Sequence, residues 1–155
     1  MRTSSYILLL LSCSTLWGCL NPDQRQALDL MKLPDEAERR REFSKLSPEK
    51  QIDVYLATVS FEPPPPGFED YVAADWKVVL PVVKHRLTTE SGRKLFALVL
   101  VLRVISEHYC SLSNSADLLS EATAAIPRTG KGYKTWAEEE VGRIQHPTKT
   151  LPPCE

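Results

Sequence analysis

Proline is the residue type that most restricts how this chain can fold. The sequence contains 12 prolines and only 6 glycines, and a proline ring fixes φ and removes a backbone donor. Two prolines follow good N-cap residues, in Asn21-Pro22 and Ser47-Pro48, and this pattern begins α-helices. Pro34 interrupts the apolar pattern that follows the first of these starts. The prolines therefore predict several short helices joined by short turns.

Apolar spacing supports the helical interpretation. Ile52, Tyr55, Leu56 and Val59 recur at i, i+3, i+4 and i+7, which places them on one face of a helix. Residues 93–109 are apolar on every face, which is typical of a buried helix. A buried strand is the alternative there because Val and Ile are frequent. A length of about 17 residues and the helical neighbours favour a helix.

Two proline-containing segments complete the fold prediction. Pro81 lies within the apolar segment 76–87, which is therefore either one kinked helix or two pieces. The segment 116–126 is predicted to be a helix that Ser115 caps and Pro127 stops. We expect an all-α domain of about six or seven short helices, packed as antiparallel hairpins in a helical array or irregular bundle.

The stretch 47–109 resembles HEAT-like repeats, because it has paired helices and a proline within the apolar second helix, at 79–83. The resemblance implies stacked helical hairpins. Four consecutive prolines, at 63–66, lie in the same stretch and favour a stiff polyproline II segment. We interpret this segment as a spacer between helices; a docking motif for another protein is the alternative.

Length and composition restrict the class of protein. A chain of 155 residues with 43% hydrophobic and 25% charged residues is typical of one globular domain. The formal net charge is −1, so there is no electrostatic reason to expect nucleic-acid binding.

The first 18 residues have the pattern of an export signal. Arg2 gives a positive start, and an apolar run from Tyr6 continues with small residues to Trp17. The run is shorter than the ~20 residues that a transmembrane helix needs, so we expect a signal peptide and not a permanent membrane span.

The run ends in Leu16-Trp17-Gly18-Cys19, which resembles the lipobox of bacterial lipoproteins. In that family a leucine, a variable residue and a small residue precede the cysteine. The resemblance implies that the thiol of Cys19 receives a diacylglyceryl group and that the chain is cleaved before this residue. It also implies that a lipid attaches the mature protein to a membrane.

The lipobox sets the expected organisation and location. The signal peptide is 1–18, a single α-helical domain spans 19–146, and an extended proline-rich tail spans 147–155. We expect the domain to face the periplasm. Because Leu20, and not Asp, follows the cysteine, the resemblance favours the outer membrane if the organism has one.

Cysteine arithmetic supports Cys19 over a second lipobox-like pattern that ends at Cys13. Cleavage at that pattern would leave only six apolar residues, 6–11, before it, which is short for the apolar core of a signal peptide. If Cys19 carries the lipid, Cys110 and Cys154 remain as an even pair in an oxidising compartment, and we expect a disulfide between them. Lipidation of Cys13 would leave an odd thiol.

The sequence contains no motif of a catalytic or cofactor site. There is no Gly-x-Ser-x-Gly and no Ser-x-x-Lys. Gly130-Lys131-Gly132 lacks the earlier glycine and the following Ser or Thr of a phosphate loop. We interpret the glutamates at 138–140 as a solvated helix face. The histidines lack metal-ligand spacing, so we expect no metal; they are His85, His108 and His146.

Four aromatic residues are large enough to anchor an interface, namely Trp76, Tyr109, Tyr133 and Trp136. Core packing is the commoner fate of aromatic residues at helical spacing, and we expect it for these.

The helical pattern without catalytic motifs predicts a non-enzymatic, lipid-anchored module that binds a protein partner in the cell envelope. One version is an immunity lipoprotein that neutralises a toxin, by analogy with other small envelope proteins. An envelope enzyme is the first alternative, which a cleft holding His85 or His108 beside an acidic residue would favour. A structural or assembly lipoprotein is the second.

The lipobox generates a direct prediction. A Cys19→Ala chain should carry no lipid, because the acylated thiol is gone, whereas a Cys13→Ala chain should keep it. Mass spectrometry of the protein from isolated membranes measures this difference. A lipidated Cys19→Ala chain would contradict the assignment and transfer it to Cys13.

Overall fold

Helix boundaries coincide with the expected capping residues and prolines over most of the chain. The computed structural model describes residues 20–61, 64 and 66–154, so the signal peptide and the lipobox lie outside the described residues. The described part contains eight α-helices: α1 (Pro22–Met31), α2 (Glu36–Ser44), α3 (Pro48–Thr58), α4 (Phe68–Ala74), α5 (Trp76–Thr89), α6 (Gly92–His108), α7 (Ala116–Ala125) and α8 (Lys134–Gln145). The all-α prediction is confirmed, with eight α-helices in place of six or seven.

Side-chain caps begin the first three helices. At α1, the Asn21 side chain accepts a hydrogen bond from the Gln24 backbone N–H at 2.8 Å, and Gln24 Oε1 accepts one from the Asn21 N–H at 3.1 Å. This reciprocal pair is a capping box. At α3, Ser47 Oγ accepts from the Lys50 N–H at 3.3 Å. Two of the three N-caps that the sequence predicted, Asn21 and Ser47, are confirmed.

The prediction that Ser115 caps α7 is wrong. Its side chain makes no capping hydrogen bond, and its ψ of 72° lies outside the extended conformation of N-cap residues. Pro127 does follow the end of α7, where it lies in a short 3-10 helix, Ile126–Thr129. Pro81 lies inside a single continuous α5 and is exposed. Water can therefore reach the carbonyl that loses its helical partner.

The helices pack in two rows. In one row, α1 contacts α3, α3 contacts α5 and α5 contacts α7. In the other row, α2 contacts α4, α4 contacts α6 and α6 contacts α8. Helices that follow each other along the chain, such as α3 and α4 or α5 and α6, make the contacts between the rows. Stacked helix pairs of this kind are the arrangement of a helical array.

Helix α6 lies at the centre of the core and is a helix, as its length predicted. It packs against α4, α5, α8 and the 3-10 helix. The residues of α6 that are buried are Leu95, Ala97, Leu98, Val99, Val101, Leu102, Val104, Ile105 and Ser106.

The C-terminal tail is attached next to the end of α6. The Ser111 N–H donates to the Pro152 carbonyl at 2.7 Å, and the Cys154 N–H donates to the Ser111 carbonyl at 3.3 Å. The sulfurs of Cys110 and Cys154 are 1.95 Å apart and their Cα atoms 4.9 Å apart, as in a disulfide. The expected cysteine pair is therefore brought together.

The cysteine pair generates a stability prediction. Replacing both cysteines with alanine should lower the free energy of unfolding by about 2–4 kcal/mol, because the pair closes a loop of 44 residues in the unfolded chain. Urea unfolding followed by circular dichroism measures the change. Adding a reductant to the unmodified chain should give the same loss, and an unchanged midpoint after reduction would contradict the prediction.

Candidate binding surface

Helix α6, helix α8 and the residue that precedes α8 bring three aromatic side chains together at the surface. The ring centroids of Phe96 and Tyr133 are 5.3 Å apart and stacked, and Trp136 lies 6.1 Å from Phe96 and 6.0 Å from Tyr133. We call these three residues the aromatic surface. Trp136 is 56% exposed, although it is a large apolar side chain.

The expectation that Trp136 packs in the core is wrong. The buried residues of α8 are Ala137, Val141 and Ile144, which are spaced at i, i+4 and i+7. Trp136 precedes this stripe by one residue, so its side chain is turned about 100° around the helix. Trp76 and Tyr109 are partly buried and do pack against the core. Of the four aromatic residues that the sequence analysis named, two therefore pack against the core and two belong to the aromatic surface.

A cleft of about 340 Å³ lies beside the aromatic surface, and we call it the aromatic cleft. Parts of α3, α4, α6 and α8 line it, together with two prolines of the predicted polyproline segment. The lining includes Tyr55, Pro64, Pro66, Glu69 and Arg93, in addition to the aromatic surface. Pro63 and Pro65 lie outside the described residues.

Tyr55 provides a buried polar group at this cleft. Its hydroxyl donates a hydrogen bond to the Ala97 carbonyl at 3.0 Å, which joins α3 to α6. Burial raises the pKa of Tyr55 well above 10.0, and the negative charges of Glu69 and Asp70 raise this pKa further, while Arg103 opposes them. The potential at Tyr55 therefore contains a negative contribution from the start of α4.

Glu69 is a carboxylate without a partner in the described part of the chain. It lines the aromatic cleft, and none of the described side chains forms an ion pair or hydrogen bond with it. Arg93 also lines the cleft but has an interaction of its own. The cleft thus combines aromatic rings with an available negative charge.

A larger and more open cleft, of about 640 Å³, lies between α5 and α7. Its two lysines already have partners. Lys84 Nζ is 3.6 Å from Glu121 Oε1, and Lys77 Nζ is 5.3 Å from the centroid of the Trp76 ring. These pairings reduce the charge that the cleft can offer to a ligand.

A third cleft, about 260 Å³, contains His108 and lies under the start of the tail. Ser106 also lines it, and its buried Oγ has no hydrogen-bond partner. Glu107 lines it as well, but its Oε2 accepts a hydrogen bond from Arg103 Nη1 at 2.6 Å. This cleft therefore contains a histidine beside an acidic residue, the combination that would favour an enzyme. The carboxylate of that acidic residue, however, is hydrogen-bonded to an arginine.

The other residues that the sequence analysis considered for a metal, phosphate or catalytic site do not form one in the described part of the chain. His85 and His146 are exposed, and no group of three potential metal ligands exists among the described residues. Gly130 adopts a φ of 83° in the turn before α8, a conformation that favours glycine. Glu138 pairs with Lys134, whereas Glu140 pairs with Arg103 and Arg143, so these glutamates do not converge.

Comparison with known proteins identifies no relative. No family model, no curated protein and no solved structure matches the chain. The HEAT-like resemblance therefore stays a prediction. Within the described ranges, no helix has both the length and the apolar character required to cross a bilayer.

The burial of Tyr55 generates a pH prediction. Above pH 10 the unfolded chain loses the tyrosine proton while the folded chain keeps it, so the free energy of unfolding should fall as pH rises. Below pH 10 this contribution is fully present. A Tyr55→Phe chain should show a weaker fall.

Urea unfolding at a series of alkaline pH values measures the slope. Tyr133→Phe is the matched control, because Tyr133 is only partly buried, and it should keep the slope of the unmodified chain. Equal slopes for Tyr55→Phe and the unmodified chain would contradict the prediction.

Proposed function

We propose that this chain is a lipid-anchored, α-helical module of the bacterial cell envelope that binds a protein partner and acts without catalysis. The observation that carries the proposal is the exposure of Trp136, at 56%, within a cluster of three aromatic rings. Tryptophan and tyrosine are enriched among the residues that dominate the energy of protein interfaces. Each buries a large area with few rotatable bonds.

The packing of α8 supports binding at this surface. Ala137, Val141 and Ile144 bury another face of the helix against the core, so the backbone that carries Tyr133 and Trp136 is fixed before a partner arrives. A surface that is ordered in advance loses little conformational entropy on association. The aromatic surface is therefore suited to recognition by a rigid contact.

The proposed lipid anchor fits the start of the fold. Helix α1 begins at Pro22, three residues after Cys19, and Arg25 Nε donates a hydrogen bond to the Leu20 carbonyl at 3.1 Å. A lipid on Cys19 would therefore be joined to the folded domain by a very short connection. An immunity lipoprotein is one version of the proposal, and a toxin gene adjacent to the gene of this chain would favour it.

An envelope enzyme is the second candidate, and the cleft with His108 is the observation that favours it. The unpartnered Ser106 Oγ and His108 line the same space. However, the hydrogen bond from Arg103 to Glu107 engages the acidic group that would have to orient the histidine. Binding is therefore the function that the described surfaces support better.

Site-specific crosslinking tests the proposed function. A photoreactive amino acid in place of Trp136 should form a crosslink to a discrete envelope protein in living cells, because the residue would lie within the interface. Val78 on α5 is the matched control, since it is 54% exposed and apolar, and its replacement should give no such product. Mass spectrometry then identifies the crosslinked protein.

The identified protein allows a quantitative check. Trp136→Ala should weaken its binding by about thirtyfold, the effect of a strong interface residue, and Val78→Ala should leave it unchanged. Absence of any crosslink at position 136, together with cleavage of cell-wall material that His108→Ala abolishes, would overturn the proposal in favour of the enzyme.

A further inference from the structure

We propose that the aromatic cleft binds an extended, proline-rich segment of the partner that carries a basic residue. This inference rests on the proposed function and names the chemistry of the partner. Three features of the cleft support it: its aromatic rings, the prolines that already line it, and the charge of Glu69.

The aromatic rings provide the contact that proline-rich segments require. Such segments adopt a polyproline II conformation in advance, and they dock in grooves that aromatic side chains line. In the aromatic surface, the Tyr133 and Trp136 rings are inclined by 68°, whereas Phe96 stacks on Tyr133 at 25°. A pyrrolidine ring of the bound segment would pack against the exposed Trp136 ring.

Two prolines of this chain already share the space. Pro64 and Pro66 line the same cleft as the three aromatic rings. The surroundings are thus compatible with proline rings in an aromatic environment. Prolines of a partner segment would lie in the same cleft, next to Pro64 and Pro66.

Charge complementarity specifies the basic residue. The Glu69 carboxylate lines the cleft without an ion-pair partner among the described residues. Asp70 is adjacent, and both carboxylates place negative potential at Tyr55. An arginine in the bound segment would find a carboxylate at the edge of an apolar cleft, where the effective dielectric constant is lower than in bulk water.

The cleft is less suited to other ligands. A small polar metabolite needs several convergent polar groups, and the hydroxyl of Tyr55 is already used by the Ala97 carbonyl. An anionic lipid surface would be repelled by Glu69 and Asp70. A neutral or basic extended peptide needs no such set of polar groups and is not repelled by these carboxylates.

Peptide binding to the full chain, purified in detergent, tests the inference. The probe is a fluorescent synthetic peptide of prolines and alanines with one arginine, and its anisotropy gives the dissociation constant. One control peptide replaces every proline with alanine, and another replaces the arginine with glutamine. The proline peptide with arginine should bind most tightly.

Protein variants locate the site. Trp136→Ala should weaken binding of the probe by about thirtyfold, while Val78→Ala should leave it unchanged. Glu69→Gln should reduce the preference for arginine over glutamine by about two- to fivefold, as expected for a partly exposed ion pair. Trp136→Phe keeps an aromatic ring and should retain part of the affinity, and circular dichroism verifies that each variant is folded.

Three results would overturn the inference: no binding of any peptide at millimolar concentration, equal binding of the proline and alanine peptides, or full binding by Trp136→Ala. A crosslinked partner at position 136 without peptide binding would overturn only this inference and leave the proposed function intact. Absence of both the crosslink and peptide binding would overturn both.

Discussion

The burial of most of α6 is the constraint on which the rest of the structure depends. Seventeen residues form this helix, and its apolar side chains can leave water only if neighbouring helices cover most of its surface. The helices α4, α5 and α8 and the 3-10 helix do so. A helix satisfies its own backbone hydrogen bonds. A continuous chain segment can therefore lie at the centre of the core without leaving buried N–H and C=O groups unpaired.

Polar contacts then hold the covering elements around α6. Arg128, from the 3-10 helix, donates hydrogen bonds to the carbonyls of Leu87, Thr88 and Glu90 at the end of α5. These carbonyls would otherwise lack helical partners. At the other end of α6, the cysteine pair attaches the tail beside Cys110. The start of α6 therefore lies next to the Arg128 hydrogen bonds, and its end lies next to the cysteine pair.

Local features of the fold could be predicted because their causes are local. The caps at Asn21 and Ser47 depend on residues three positions apart, and the helical nature of α6 depends on its own length and composition. The exposed position of Pro81 could not be predicted, because the face of α5 that is covered depends on the packing of α3, α6 and α7. The same applies to Trp136 on α8.

The candidate site was missed for a related reason. Phe96 belongs to a segment that is apolar on every face, so its sequence neighbours do not distinguish it from core residues. One signal was present: Arg93, Phe96, Arg103 and Glu107 lie on a single stripe of α6, and its charged members mark the face nearest to solvent. The charge of Glu69 joins this stripe only through the packing of α4 on α6, which no local pattern encodes.

A lipid anchor on Cys19 would restrict where binding to the aromatic cleft could occur. Helix α1 packs on α3, and α3 contributes Tyr55 to the cleft, so two helices of 10 and 11 residues separate the start of the domain from the binding surface. At a rise of about 1.5 Å per residue, each helix is only ~15–17 Å long.

With a lipid on Cys19, the cleft would stay within a few tens of ångströms of the bilayer, because rigid helices and not a flexible linker set the distance. A partner would then have to present its proline-rich segment close to the membrane. Sharing one membrane surface would raise the effective concentration of the two proteins, so that even a modest affinity of the cleft could give stable association in the envelope.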